Sequence, residues 1–179
     1  MSGSAGRSVI RSFRISLETD KELRKEAALR GVSLNALVSQ IFKKFIEWDR
    51  YTERYGFVTI TRNGFQAIHE AVDEDTLMGV AKDIGERNPG EATSFWFKKV
   101  DLNTLLSWLT LHCKYGRIAE CEIQRKDAEY TIALYHAMGE KYPRFLANMY
   151  AQAPRKFGQV EPRFVTTKNS VTFTFETPT

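Results

Sequence analysis

The sequence predicts an N-terminal β-α-α module followed by an α+β domain in which helices cover an antiparallel sheet. Three observations lead to this fold class. A run from Ser12 to Leu17 alternates polar and apolar residues, two helix-start signals follow it, and the rest of the chain mixes apolar helix faces with alternating strands. Alternation places successive side chains on opposite faces of a strand, so the first run should be a half-buried strand that needs a partner.

Two helices are predicted after this strand. Thr19 and Glu22 have the spacing of a capping box, and Gly31 supplies the left-handed position at which the first helix ends. Ser33 is a suitable N-cap for a second helix that begins at Leu34. Apolar residues of the second helix recur at steps of four and three, at Leu34, Val38, Ile41, Phe45 and Trp48.

Residues 11–50 resemble the ribbon-helix-helix repressors of the MetJ/Arc/CopG superfamily. The resemblance lies in Arg14-Ile15-Ser16-Leu17 and, at the turn, in Gly31-Val32-Ser33-Leu34-Asn35. It implies an intertwined dimer in which two strands pair into a ribbon that reads bases in the DNA major groove. By the same resemblance, base reading falls on Ser12, Arg14 and Ser16, and phosphate binding falls on Ser33, Leu34 and Asn35.

The chemistry of these residues agrees with such roles. Arg14 can donate two hydrogen bonds to the O6/N7 pair of guanine, and the amides that open a helix can hold a phosphate. Residues 1–54 contain 11 Lys and Arg against 7 Asp and Glu, whereas residues 55–179 contain 15 of each. The basic excess is thus confined to the first module, where Arg7 and Arg11 are further candidates for phosphate contacts. We therefore expect double-stranded DNA as a partner.

The predicted organisation has three parts. Residues 1–10 form a flexible basic arm or a cloning remnant, residues 11–55 form the DNA-binding and dimerisation domain, and residues 56–179 form an effector-sensing or assembly domain. Within the last part we expect a strand at 57–61 and an extended segment at 94–98, after Asn88-Pro89-Gly90. Helices are expected at 101–115 and around Pro143. Two hairpins are expected, one formed by 118–124 with 130–136 and the other by 160–166 with 171–176.

Four side chains of the second domain are candidate metal ligands. They are His112, Cys113, Cys121 and His136, which fall within 25 residues and include the soft and borderline donors that zinc, nickel and copper bind. Their spacing is not diagnostic, and burial of both cysteines in the core, or a role for His136 in a pocket, are the alternatives. No cofactor can be assigned from the sequence, and the two candidates are a transition metal and a small-molecule effector.

Motif content narrows the classes of function. No apolar run approaches the roughly 18 residues that span a bilayer, and no catalytic motif is recognisable, so we expect a cytoplasmic protein that is not an enzyme. We expect a sequence-specific DNA-binding transcriptional regulator, a repressor that binds palindromic operators as a homodimer or as a pair of dimers. The alternatives are an antitoxin-type repressor whose C-terminal half binds a partner protein, a metal-responsive regulator, and an enzyme tethered to DNA.

Overall fold

The computed structural model describes residues 9–158 and 160–177. The chain divides into two compact units, Met1–Ile46 and Glu47–Thr179. Arg7, a predicted phosphate contact, and residues 1–8 of the predicted arm lie outside the described residues. Among the described residues, no helix is both long and apolar enough to cross a lipid bilayer.

The first unit contains two helices, α1 (Leu17–Leu29) and α2 (Leu34–Lys44). Between them Gly31 has φ +64°, which a residue without a Cβ adopts at little cost, and this confirms the predicted end of α1. The Ser33 side chain accepts a hydrogen bond from the amide of Ala36, which confirms Ser33 as the N-cap of α2. The two helices contact each other.

The predicted N-terminal β-α-α fold, with its strand shared in an intertwined dimer, is wrong. Residues 9–16 form neither helix nor strand, and the last residue of the predicted strand, Leu17, is the first residue of α1. A strand requires a second segment that completes its backbone hydrogen bonds, and the described part of this chain supplies none. The amide of Thr19 is instead bound by the Ser16 side chain at 3.0 Å, so Ser16 is the N-cap in place of Thr19.

The second unit consists of helices and one antiparallel sheet. A π-helical turn spans the boundary between the units at Phe45–Asp49, and another follows the last helix at Pro154–Gly158. The α-helices are α3 (Arg50–Tyr55), α4 (Arg62–Ala71), α5 (Glu74–Phe97), α6 (Leu102–Gly116) and α7 (Tyr142–Ala153). The strands are β1 (Glu120–Lys126), β2 (Glu129–Tyr135), β3 (Arg163–Thr166) and β4 (Ser170–Glu176).

Helix α5 corrects two predictions. It continues through Pro89 to Phe97, so neither the break at Asn88-Pro89-Gly90 nor the extended segment 94–98 exists. A proline inside a helix costs about 3 kcal/mol, which packing must outweigh. Packing does so here because one side of α5 is buried along nearly its whole length, at Leu77, Ala81, Gly85, Pro89, Ala92, Thr93 and Trp96.

The predicted strand at 57–61 is also wrong. Among the described residues this segment has no paired partner, and Thr61 caps α4 by accepting a hydrogen bond from the amide of Gly64. Phe57 packs edge-on against Trp48, with ring centroids 5.3 Å apart, and also lies against Trp96. Phe57 thus contacts aromatic side chains on one side while it stays 39 % exposed, and no strand pairing is involved.

Both predicted hairpins are confirmed, and together they build the sheet in the order β1-β2-β4-β3. The central pairing joins β2 to β4, with Ile132 opposite Phe173. Alternation buries one face of these two strands, at Tyr130, Ile132, Leu134, Val171, Phe173 and Phe175. Helix α7 contacts both β4 and α5, so it connects the sheet to the helices.

Candidate functional site

The residues predicted to contact DNA lie at the start of the first unit. Ser12, Arg14 and Ser16 are all exposed. Among the described residues Arg14 has no polar partner, whereas the Ser16 hydroxyl is engaged with Thr19. Arg11 is exposed as well, and its guanidinium donates to the carbonyl of Ile10 at 3.1 Å. The structure thus leaves the Arg14 guanidinium available to a partner molecule.

The predicted phosphate-binding turn is the N-terminus of α2. Ser33 and Asn35 are exposed, Leu34 is half-buried, and the first turn of α2 contains no acidic residue. Of the backbone amides there, that of Ala36 is bound by Ser33. The first amides of a helix carry partial positive charge and need acceptors, so this end of α2 is suited to an anion.

The first unit also exposes many large apolar side chains. Phe13 lies against Phe42 of α2 in an edge-to-face contact with ring centroids 5.9 Å apart, yet Phe13 is 67 % exposed. So many exposed large apolar side chains in one small unit are more typical of a protein that has an interface than of a monomer. The exposed apolar residues of this unit are Val9, Ile10, Phe13, Ile15, Leu17, Leu29, Ile41, Phe42, Phe45 and Ile46.

The four candidate metal ligands are all in the second unit but are not arranged as one ligand set. Cys113, Cys121 and His136 line one cavity, whereas His112 is directed into the aromatic core. Throughout the described residues, no three His, Cys, Asp or Glu side chains are grouped so that they could hold a metal ion.

His112 is half-buried and packs against the aromatic side chains of the core. Its Nδ1 lies 2.9 Å from the Tyr150 hydroxyl, and its ring packs against Trp108 and Trp48 at centroid distances of 4.6 and 6.0 Å. Burial lowers the pKa of His112 to about 4 and raises the pKa of Tyr150 well above its usual value. His112 is therefore neutral at neutral pH, and its Nδ1 can accept a hydrogen bond from the Tyr150 hydroxyl.

The two cysteines are free thiols, Cys113 buried in α6 and Cys121 half-buried in β1. Hydrogen bonding with Cys113 lowers the pKa of the Cys121 thiol. The same interaction, together with burial, raises the pKa of Cys113. Of the two, Cys121 is thus the thiol that ionises first and the more reactive one.

His136 follows β2 and closes a local turn. Its Nδ1 accepts a hydrogen bond from the amide of Met138 at 3.2 Å, which leaves the proton on Nε2, and that buried nitrogen has no hydrogen-bond partner among the described residues. Burial lowers the pKa of His136, so its neutral form is favoured.

The cavity that contains these groups has a volume of about 780 Å³. It lies between the start of α4, the end of α6, the start of β1 and the segment after β2. Three basic residues of its wall, Arg62, Lys114 and Arg117, were not predicted as site residues. No spacing in the sequence could identify them, because Arg62 is distant in sequence from the other two and only the fold brings them to one cavity.

A scan of protein-family models gives no match to this chain, and a search of the curated proteins gives none either.

Proposed function

We propose that this protein is a sequence-specific DNA-binding transcriptional regulator that acts as a homodimer, with repression as its mode of action. The main support is the combination, in one small unit, of an exposed basic segment and a capped helix N-terminus that is free of acidic residues. The free thiols of Cys113 and Cys121 suit a reducing compartment, and we propose the cytoplasm as its location. The second unit is then the effector-sensing or assembly part.

In this proposal Arg14 reads the base sequence. Its guanidinium is exposed, has no polar partner among the described residues, and can donate two hydrogen bonds to one guanine. The N-terminus of α2, with Ser33, Leu34 and Asn35, contacts the phosphate backbone and sets the position on the duplex, which carries no sequence information by itself. The resemblance of residues 31–35 to the turn of the ribbon-helix-helix repressors stays a prediction.

The proposed dimer is supported by the apolar surface of the first unit. Burying an exposed apolar side chain contributes about 25 cal/mol for each Å² removed from water, so a second copy that covers residues such as Ile41, Phe42 and Phe45 would be favoured. A symmetric pair also presents two equal DNA contacts, which matches a palindromic operator.

Replacing Arg14 tests the DNA-binding proposal. Duplexes are first enriched from a random pool by the full-length protein, and the affinity of Arg14→Ala for the enriched sequence is then measured by fluorescence anisotropy at fixed salt. We expect a loss of about 1–3 kcal/mol, together with relaxed selectivity at one base position, because one bidentate contact is removed.

Arg24→Ala is the matched control for Arg14. Arg24 is an exposed arginine of the same unit, and its Nε donates to Asp20 at 2.8 Å. Its removal changes the net charge equally but should leave base selectivity unchanged. The proposal is contradicted if the native protein enriches no sequence from the pool. It is also contradicted if Arg14→Ala and Arg24→Ala lose equal affinity.

A charge placed on the apolar surface tests the dimer. Phe42 is 47 % exposed, and we expect Phe42→Glu to halve the molar mass measured by sedimentation equilibrium, because an ion cannot be buried unpaired at an interface. Phe164, on β3, is 44 % exposed and provides the matched variant Phe164→Glu, which should keep the native mass. A native protein that sediments as a monomer would exclude the proposed dimer.

A further inference from the structure

The cavity of the second unit carries an excess of positive charge. Its charged lining residues are Arg62, Lys114, Arg117 and Glu120, three cations against one carboxylate. Lys114 lies 3.6 Å from Glu47. Arg62 and Arg117 are exposed and have no ion-pair or hydrogen-bond partner among the described residues, so two guanidinium groups remain available to a ligand.

The helix dipoles explain the positions of only two of the three cationic residues that line the cavity. Lys114 is in the last turn of α6 and Arg117 is its C-cap residue, where a cation interacts favourably with the helix carbonyls. Arg62 is the first residue of α4, where the helix dipole is positive and a cation is unfavourable. The first turn of α4 contains no acidic residue that would offset this charge.

An anion in the cavity would relieve this unfavourable arrangement. It would lie near the start of α4 with the Arg62 guanidinium, and the Arg117 guanidinium lines the same cavity. A volume of about 780 Å³ suits a small organic molecule and exceeds what a single inorganic ion requires. Two separate guanidinium groups match a ligand with at least two negatively charged groups.

We propose that this cavity binds a small organic polyanion, carrying carboxylate or phosphate groups, through Arg62 and Arg117. Lys114 adds positive charge to the lining, to which His136 and Cys121 also belong. A role of this ligand as the effector rests on the DNA-binding function proposed above, whereas binding of the ligand itself does not.

The test is isothermal titration of the full-length protein without DNA, at constant ionic strength. Citrate is the carboxylate probe, pyrophosphate is the phosphate probe, and sorbitol is the neutral probe. We expect saturable binding of at least one anionic probe at one site per chain and none of sorbitol. Comparison of the two anions tells which charged group the cavity prefers.

Two variants and one control assign the binding to this cavity. We expect Arg62→Gln and Arg117→Gln each to weaken the anion about tenfold, since each removes one charge-assisted contact. Arg87 is an exposed arginine of α5 that does not line the cavity, so Arg87→Gln should bind as the native protein does. The thermal midpoints of all three variants are measured without ligand to confirm that they fold.

Two results would overturn the proposal. One is no saturable binding of either anion, and the other is equal weakening by all three variants, which would indicate general attraction to a basic surface. Because DNA is absent from the titration, neither result bears on the role of Arg14.

Discussion

Replacement of Gly85 by alanine is expected to destabilise the second unit by about 3 kcal/mol or more, which is the upper range for overpacking. A Cβ on Gly85 would lie 2.1 Å from the carbonyl oxygen of Met149 and 2.9 Å from Cγ of Gln152. The first of these atoms belongs to the backbone of α7, so relief requires the two helices to separate. Urea unfolding, followed by circular dichroism, measures the change in the free energy of unfolding.

Gly79 provides the matched control in the same helix. It is exposed, and apart from the adjacent backbone of its own helix a Cβ there would meet no atom of the described residues within 4 Å. Gly79→Ala should therefore stabilise the protein by up to about 1 kcal/mol, through the higher helix propensity of alanine. Similar free energies of unfolding for the Gly79 and Gly85 variants would show that α5 and α7 do not approach as closely as the structure has them.

The protonation of His112 is expected to make the protein less stable in acid. Its pKa is lowered by burial from 6.5 to about 4 in the folded protein. Below pH 6.5 the His112 imidazole is protonated in the unfolded chain, whereas in the folded chain it is protonated only below about pH 4. The contribution of neutral His112 to the free energy of unfolding is thus fully present above pH 6.5. It is lost as the pH falls from 6.5 to about 4, and the loss is about 3 kcal/mol.

His112→Gln isolates this contribution. Glutamine does not titrate, and its side chain can still bond to the Tyr150 hydroxyl, so the variant should lose about 3 kcal/mol less than the native protein between about pH 7.5 and pH 4. Burial lowers the pKa of His136 as well, so part of the acid sensitivity remains in the variant. Identical pH dependence of the free energy of unfolding in both proteins would place His112 in contact with water.

Local chemistry explains which parts of the fold were predictable. Gly31, Ser33 and Asp127 are set by backbone preferences and caps within a few residues, so the turn before α2 and the turn of the first hairpin follow from the sequence. The burial of Val171, Phe173 and Phe175 on one face follows from simple alternation.

Features that depend on distant contacts were not predictable in the same way. Alternation from Ser12 to Leu17 indicates a strand, but a strand also needs a pairing segment, and no local pattern reports whether one exists. Pro89 is a helix breaker by propensity, yet burial against other helices keeps it inside α5.

The candidate sites also differ in whether they depend on neighbouring residues or on residues distant in sequence. Arg14 and Ser33 can be proposed from the sequence because their proposed roles depend on residue type and on position within one short segment, and these roles stay predictions. Three of the four proposed metal ligands line one cavity, but His112 packs against Trp108 instead, and the sequence spacing does not report this separation. Arg62 and Arg117 line one cavity only because the elements of the second unit that carry them assemble around it.

The strand order of the sheet has a consequence for folding kinetics. The two central strands, β2 and β4, come from different hairpins and are separated along the chain by α7. Each hairpin can form quickly from neighbouring residues, but joining them requires closure of a long loop, which is entropically costly and slow. Until that step β2 has an open edge, so a transient species with a single hairpin is the state from which aggregation would start.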